Sequence, residues 1–176
     1  PVRGRRAVRA LAGAPAGPLL GAAALTVVWL LVTNHGPLSD VRVNDLYVYS
    51  VARDMLLDGN VPYRDWPFEY PPLALVPIGL AGGDAIALSL LMLGCALACQ
   101  AAARALGGPA SGWLMVALPP VAGALVRTHF DLLPAALTLI ALVLLARGRP
   151  TAGLTALGLG TMTKLWPAAV TLIALA

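Results

Sequence analysis

The side chains able to move protons or grip anions are few in this chain, and they are unevenly placed. Asp40, Asp45, Asp54, Asp58, Asp65 and Glu69 fall in one polar stretch between Asn34 and Tyr70. Farther on, Arg127-Thr128-His129-Phe130-Asp131 brings together a guanidinium, an imidazole and a carboxylate, and the single lysine, Lys164, interrupts an apolar run. Asp45 has two readings. At the start of a helix it can serve as an N-cap, a role worth about 0.5–2 kcal/mol for which Asp is a favoured type. It can also be a catalytic carboxylate facing a cavity between an outer loop and membrane spans, where an ionised acid works as a general base. The two are compatible, since the backbone holds an acid in the first turn in place. Arg127 and Asp131 have the four-residue spacing of a helix salt bridge. A lysine at the centre of a span costs about 2.5–3.5 kcal/mol, so Lys164 either faces a cavity or partner or snorkels to the interface.

The elements that must position these groups follow from composition. Of 176 residues, 59% are hydrophobic and 11% charged, with a mean hydropathy of +0.82. A soluble domain carries about a quarter charged residues. This chain cannot cover a water-facing surface, which excludes a soluble enzyme and a disordered tail. The net charge of +4 is scattered between apolar runs rather than gathered in a patch, which also excludes a nucleic-acid-binding domain. The expected fold class is all-α, a polytopic membrane helix bundle. Expected spans are 11–33, 85–103, 110–126 (broken by Pro119-Pro120), 132–146 and 151–176 (interrupted by Lys164), with an outer loop at 34–70. The apolar piece 71–81 is too short to cross and reads as re-entrant. Arg3, Arg5, Arg6, Arg9, Arg104, Arg147 and Arg149 lie on the cytoplasmic side if the N-terminus is cytoplasmic, leaving the acidic loop outside. The first residue is Pro1 and the chain stops within an apolar stretch, so it reads as the N-terminal part of a longer transmembrane domain. Cys95 and Cys99, four apart in an apolar run, read as packing residues rather than metal ligands, and no metal site is expected.

The outer loop is far longer than a simple connection of about 2–8 residues. Residues 44–59 read as a helix, capped by Asn44 or Asp45 and ended by Gly59 in a left-handed turn. Ser50, Asp54 and Asp58 share one face, with Asp45, Tyr49, Ala52 and Leu56 opposite. Such a helix lies on the membrane surface with its apolar face down and Asp45 inward. The proline- and aromatic-rich stretch that follows, with Trp66, Phe68, Tyr70, Pro71 and Pro72, is a stiff extended connection at headgroup level.

Taken together, Asp45-Leu46-Tyr47-Val48-Tyr49, Leu56-Leu57-Asp58-Gly59-Asn60-Val61-Pro62-Tyr63 and Phe68-Glu69-Tyr70-Pro71-Pro72-Leu73 resemble the first outer loop of a bacterial membrane glycosyltransferase family. That family is the polyprenyl-phosphate-mannose-dependent α-mannosyltransferases of GT-C fold, common in actinobacteria. Gly148-Arg149-Pro150 to Gly153, followed by Thr163-Lys164-Leu165-Trp166-Pro167, is similar to a second family stretch. Eleven arginines against one lysine suit a high-GC bacterium. In Arg127-Thr128-His129-Phe130-Asp131 the chain departs from the Gly-Gln-type turn of many members.

The resemblance implies an inverting hexosyltransferase in the bacterial plasma membrane, acting extracytoplasmically. The donor would be a polyprenyl-phosphate-mannose and the acceptor a lipid or glycan, with no cofactor beyond the lipid-linked sugar substrate. Asp45 occupies the position of the family's general base, while Tyr49, Tyr70, Pro71 and Pro72 shape its loop. The leaving group is an anionic lipid phosphate, which cations stabilise. Arg127, His129 and Lys164 are the candidates for that phosphate. A polytopic transporter or lipid flippase is the alternative, though it gives no reason for an acidic outer loop ending in Tyr-Pro-Pro.

Overall fold

The computed structural model describes residues 17–35, 38–39 and 44–175. The basic N-terminal cluster Arg3 to Arg9, the start of the first expected span, and Asp40 and Arg42 lie outside the described residues. Within them the chain is helical. Helix α1 (Gly17–His35) is followed by a short helix α2 (Leu46–Leu57) and a 3-10 turn (Pro72–Ala74) that leads into α3 (Leu75–Ala81). Then come α4 (Ala85–Leu114), a 3-10 turn (Met115–Ala117), α5 (Leu118–Ala122) and α6 (Leu125–Thr128). Helices α7 (Leu132–Ala146), α8 (Pro150–Thr163) and α9 (Pro167–Leu175) complete the order.

Helix α1 and the run Ala85–Ala122 are long and apolar enough to cross a membrane. Pro119 and Pro120 sit in the first turn of α5, where a missing N–H costs nothing, and the helix stops at Gly123. Helix α4 is kinked at Gly108 (φ 79°), where two helices meet. A Cβ on Gly112 would lie 3.0 Å from Arg104 Cβ and 3.4 Å from the Gln100 carbonyl oxygen, so the segment after Gly108 folds back on the one before it. The last apolar stretch is two helices. Lys164 leaves the helical conformation (φ −154°, ψ 142°), and α9 restarts with Pro167 as its first residue.

The packing is set by small residues and a few directional bonds. Gly17, Gly21, Leu25, Trp29 and Thr33 recur every four residues and form the buried stripe of α1. That stripe lies on α4, where Gln100 donates to the Gly21 carbonyl at 3.0 Å and Trp29 Nε1 to Ser89 Oγ at 3.2 Å. Helices α7 and α8 form an antiparallel hairpin through Arg147-Gly148-Arg149, packed on α4. A Cβ on Gly153 would lie 2.7 Å from Leu145 Cγ, so the hairpin depends on a bare backbone there.

This arrangement separates two ends of the molecule. Asp131 and Lys164 cap the hairpin at one end. Arg147 and Arg149 lie at the other, about 22 Å away for the 15 residues of α7. Arg147 and the Ala98–Ala105 part of α4 line one groove, which places Arg104 at the arginine end too. Helix α2 docks at the opposite end, against the turn after α3. There Gly83 takes φ 79°, and a Cβ would meet the Ser50 side chain at 2.6 Å.

Candidate active site

Asp45 stands at the N-cap position of α2, but the side chain that bonds the first turn is that of the preceding residue. Asn44 Oδ1 accepts the Leu46 N–H at 3.2 Å, and the Asp45 side chain makes no capping bond. Freed from that role, the Asp45 carboxylate turns toward the bundle. Its Oδ2 accepts the Tyr49 hydroxyl at 3.0 Å and the Tyr70 hydroxyl at 3.3 Å. Its Oδ1 lies 3.5 Å from His129 Nε2, across the boundary between α6 and α7. The Asp45 and His129 side chains are 27% and 18% exposed, open enough to meet a ligand yet largely shielded from bulk water.

An aromatic wall holds this geometry. Tyr49 and Phe130 are fully buried with ring centroids 5.3 Å apart, and Tyr70 lies 5.1 Å from Phe130 and 6.3 Å from Tyr49. The contacts run outward through Phe68 to Trp66 and Tyr63, in edge-to-face arrangements. The outer end is fixed by a tight turn. Asp65 Oδ2 accepts the Val61 N–H at 2.7 Å, and Tyr63, held at a positive φ of 67°, donates its hydroxyl to the Tyr70 carbonyl at 2.5 Å. Pro71 and Pro72 then turn the chain from Tyr70 into the 3-10 turn before α3. Burial pushes the Tyr70 phenol up to about 12, helped by the nearby Asp45 charge. Burial, with Tyr70 and Asp45 adding, raises Tyr49 further still. Both phenols are therefore donors to Asp45 at neutral pH.

Lys164 approaches from the break between α8 and α9. Its Nζ pairs with Asp131 Oδ1 and stands 6.0 Å from the Tyr70 ring centre and 5.4 Å from that of Phe130. The four-residue pairing of Arg127 with Asp131 is thus replaced by a pairing of Asp131 with Lys164 across 33 residues. Leaving the helix at Lys164 is what lets its side chain reach the start of α7. Arg127 is half-buried, and its Nε has no hydrogen-bond partner among the described residues.

Of the residues singled out from sequence, the structure gathers Asp45, Tyr49, Tyr70, His129 and Lys164 around one centre. Arg127 lies two residues from His129 but makes no bond to that centre. Phe130 and Asp131 join it, although the sequence marks Asp131 only as a helix salt-bridge partner of Arg127 and Phe130 not at all. Their signal was adjacency to His129. Two grooves flank the centre. One of about 270 Å³ runs along Tyr47, Val51, Trp66, Phe68, Glu69 and Tyr70. The other, of about 370 Å³, is walled by Leu118, Ala122, Leu125, Val126 and Leu132, with His129 and Asp131 among its lining residues. Chemically, the arrangement offers an oriented carboxylate, an imidazole and an ammonium around a partly shielded space.

No curated protein and no solved structure matches the chain. The model of glycosyltransferase family 87 matches residues 70–176, which takes in Tyr70, His129, Asp131 and Lys164; Asp45 lies outside the matched residues. More than half of the chain lies in that match, so the chain belongs to glycosyltransferase family 87, a family of membrane glycosyltransferases.

Proposed function

We propose that this chain carries the catalytic end of an inverting mannosyltransferase that uses a polyprenyl-phosphate-mannose donor and a lipid or glycan acceptor. The observation that carries the reading is the Asp45 carboxylate. Two tyrosine hydroxyls occupy Oδ2, while Oδ1 accepts neither of them and faces His129 Nε2 at 3.5 Å. A carboxylate held in this way can take the proton of an acceptor hydroxyl as it attacks the sugar carbon. The bond from that carbon to the lipid phosphate breaks, and its electron pair leaves with the phosphate. Lys164 supplies positive charge at this end of the bundle, and Arg127 Nε, without a hydrogen-bond partner among the described residues, is a second donor close by. The apolar groove that reaches His129 and Asp131 suits a hydrocarbon chain whose phosphate ends among charges. The reading needs no metal.

The distribution of charge supports an extracytoplasmic site. Among the described residues the acids Asp45, Asp54, Asp84 and Asp131 belong to the end where α2 docks, together with Arg53, Arg64, Arg127 and Lys164, whereas the other end carries Arg104, Arg147 and Arg149 and no acid. The cytoplasmic assignment of that end adds the N-terminal Arg3, Arg5, Arg6 and Arg9 of the sequence to its count. The experiment is transfer by the full-length protein in membranes, with radiolabelled polyprenyl-phosphate-mannose set against nucleotide-mannose. Label passing to a lipid or glycan from the polyprenyl donor alone is the expected result. Use of the nucleotide sugar, or of a polyprenyl-phosphate hexose other than mannose in preference, would reject the donor assignment.

A further inference from the structure

We propose that Asp45 and His129 act as a relay, in which Asp45 Oδ1 takes the acceptor's proton and passes it to His129 Nε2. The proposal rests on the reading of Asp45 as the base and extends it to a second catalytic residue. Thr128 Oγ1 has one proton, which it donates to the Ala124 carbonyl at 3.1 Å, closing a turn of its own helix. His129 Nδ1 lies 3.1 Å from that same Oγ1 and 3.3 Å from the Leu125 carbonyl oxygen. A carbonyl only accepts, and the threonine's proton is already committed, so both neighbours of Nδ1 are acceptors and Nδ1 carries the ring hydrogen.

It follows that Nε2 of the neutral ring presents a lone pair, and the atom facing it at 3.5 Å is Asp45 Oδ1. With the ring neutral, the two facing atoms are both acceptors, 3.5 Å apart. A proton arriving on Oδ1 creates the donor that this pair lacks. Oδ2 is the poorer destination, since it already accepts the Tyr49 and Tyr70 hydroxyls. Transfer onward from Oδ1 to the facing Nε2 returns Asp45 to its ionised form.

The step balances. The acceptor oxygen bonds to the sugar carbon as the carbon–phosphate oxygen bond breaks, and the electron pair leaves on the lipid phosphate. The acceptor's proton moves to Oδ1 and then to Nε2, and water takes it after product leaves. The site gains an imidazolium as the phosphate gains its charge. The other ionisable groups around the pair are Tyr49 on α2, Tyr70 in the outer loop, Arg127 on α6, and the Lys164–Asp131 pair beyond Phe130.

The test uses the full-length enzyme with labelled polyprenyl-phosphate-mannose. His129→Gln keeps an N–H for Oδ1 or for phosphate but cannot take a proton. Its kcat is expected to fall about 10²–10⁴-fold with donor KM little changed. His129→Gly should regain transfer when free imidazole is added. A His129→Gln enzyme with kcat within about threefold of the parent and a raised donor KM would make His129 a phosphate ligand and overturn the relay. Failure of imidazole to restore a His129→Gly enzyme that still binds donor would overturn it as well. Asp45→Asn run in parallel separates the two ideas. An inactive Asp45→Asn beside an active His129→Gln defeats only the relay, while an active Asp45→Asn defeats the base itself.

Discussion

Replacing Lys164 by methionine separates two jobs its ammonium can do. The first is structural. The Lys164 and Asp131 side chains are 26% and 51% exposed, so their pair is well solvated and contributes about 0.2–1 kcal/mol. The ammonium's approach to the Tyr70 and Phe130 rings adds about 0.5–1 kcal/mol. Methionine retains most of the stem, so the total loss of stability is about 1–2 kcal/mol, a few degrees in melting temperature. The second job is electrostatic stabilisation of the departing phosphate, where loss of one donor costs about 2.7–4 kcal/mol, or 10²–10³ in rate. Full-length Lys164→Met is therefore expected to lose about 100-fold or more in kcat while its melting temperature falls only slightly. Adding Asp131→Asn distinguishes the jobs further. If the lysine exists to neutralise Asp131, the double variant recovers; if it serves the donor, it does not. Recovery to within about threefold of the parent, or a Lys164→Met enzyme that hardly slows, would refute the reasoning.

Three further outcomes follow from the geometry. Asn44→Ala should destabilise the protein by about 0.5–2 kcal/mol through loss of the α2 cap, whereas Asp45→Asn, which removes no cap, should melt close to the parent; equal losses in a thermal melt would return Asp45 to the capping role. Tyr70 keeps its proton to about pH 12 in the fold but titrates near 10 when unfolded. Its contribution to stability is therefore complete below about pH 10 and is lost as pH climbs through about 12, and Tyr70→Phe should flatten that part of the alkaline unfolding curve. Gly153→Val should force α8 away from α7, since even a Cβ meets Leu145 Cγ at 2.7 Å, and cost about 1–3 kcal/mol in a denaturation midpoint.

Much of the helical layout could be read from the chain, because apolar run length and proline position leave few choices. The surface helix was legible from its alternating faces, and its end from Gly59, which takes φ 81°. Asp45 and Tyr49 stand four apart on that helix, so their meeting was also legible. The cap was not. Asn44 and Asp45 are both good N-caps in adjacent positions; the Asp45 carboxylate is instead held inward by the Tyr49 hydroxyl at 3.0 Å and by that of Tyr70, 25 residues on, at 3.3 Å. Local spacing also favoured Arg127 as the partner of Asp131. The pairing with Lys164 depends on a helix break and on the antiparallel return of α8, both tertiary facts that no window of a few residues holds. The same is true of His129 and Asp45, brought together only when α2 settles over the start of α7.

The most direct measurement is mannosyl transfer by full-length Asp45→Asn in membranes, with binding of the labelled donor followed alongside. Asparagine preserves shape and can still accept from Tyr49 and Tyr70, but it cannot take a proton. Donor binding near the parent level with transfer reduced about 10²–10⁴-fold is the outcome expected of a proton-accepting carboxylate. Transfer that proceeds at the parent rate would contradict it.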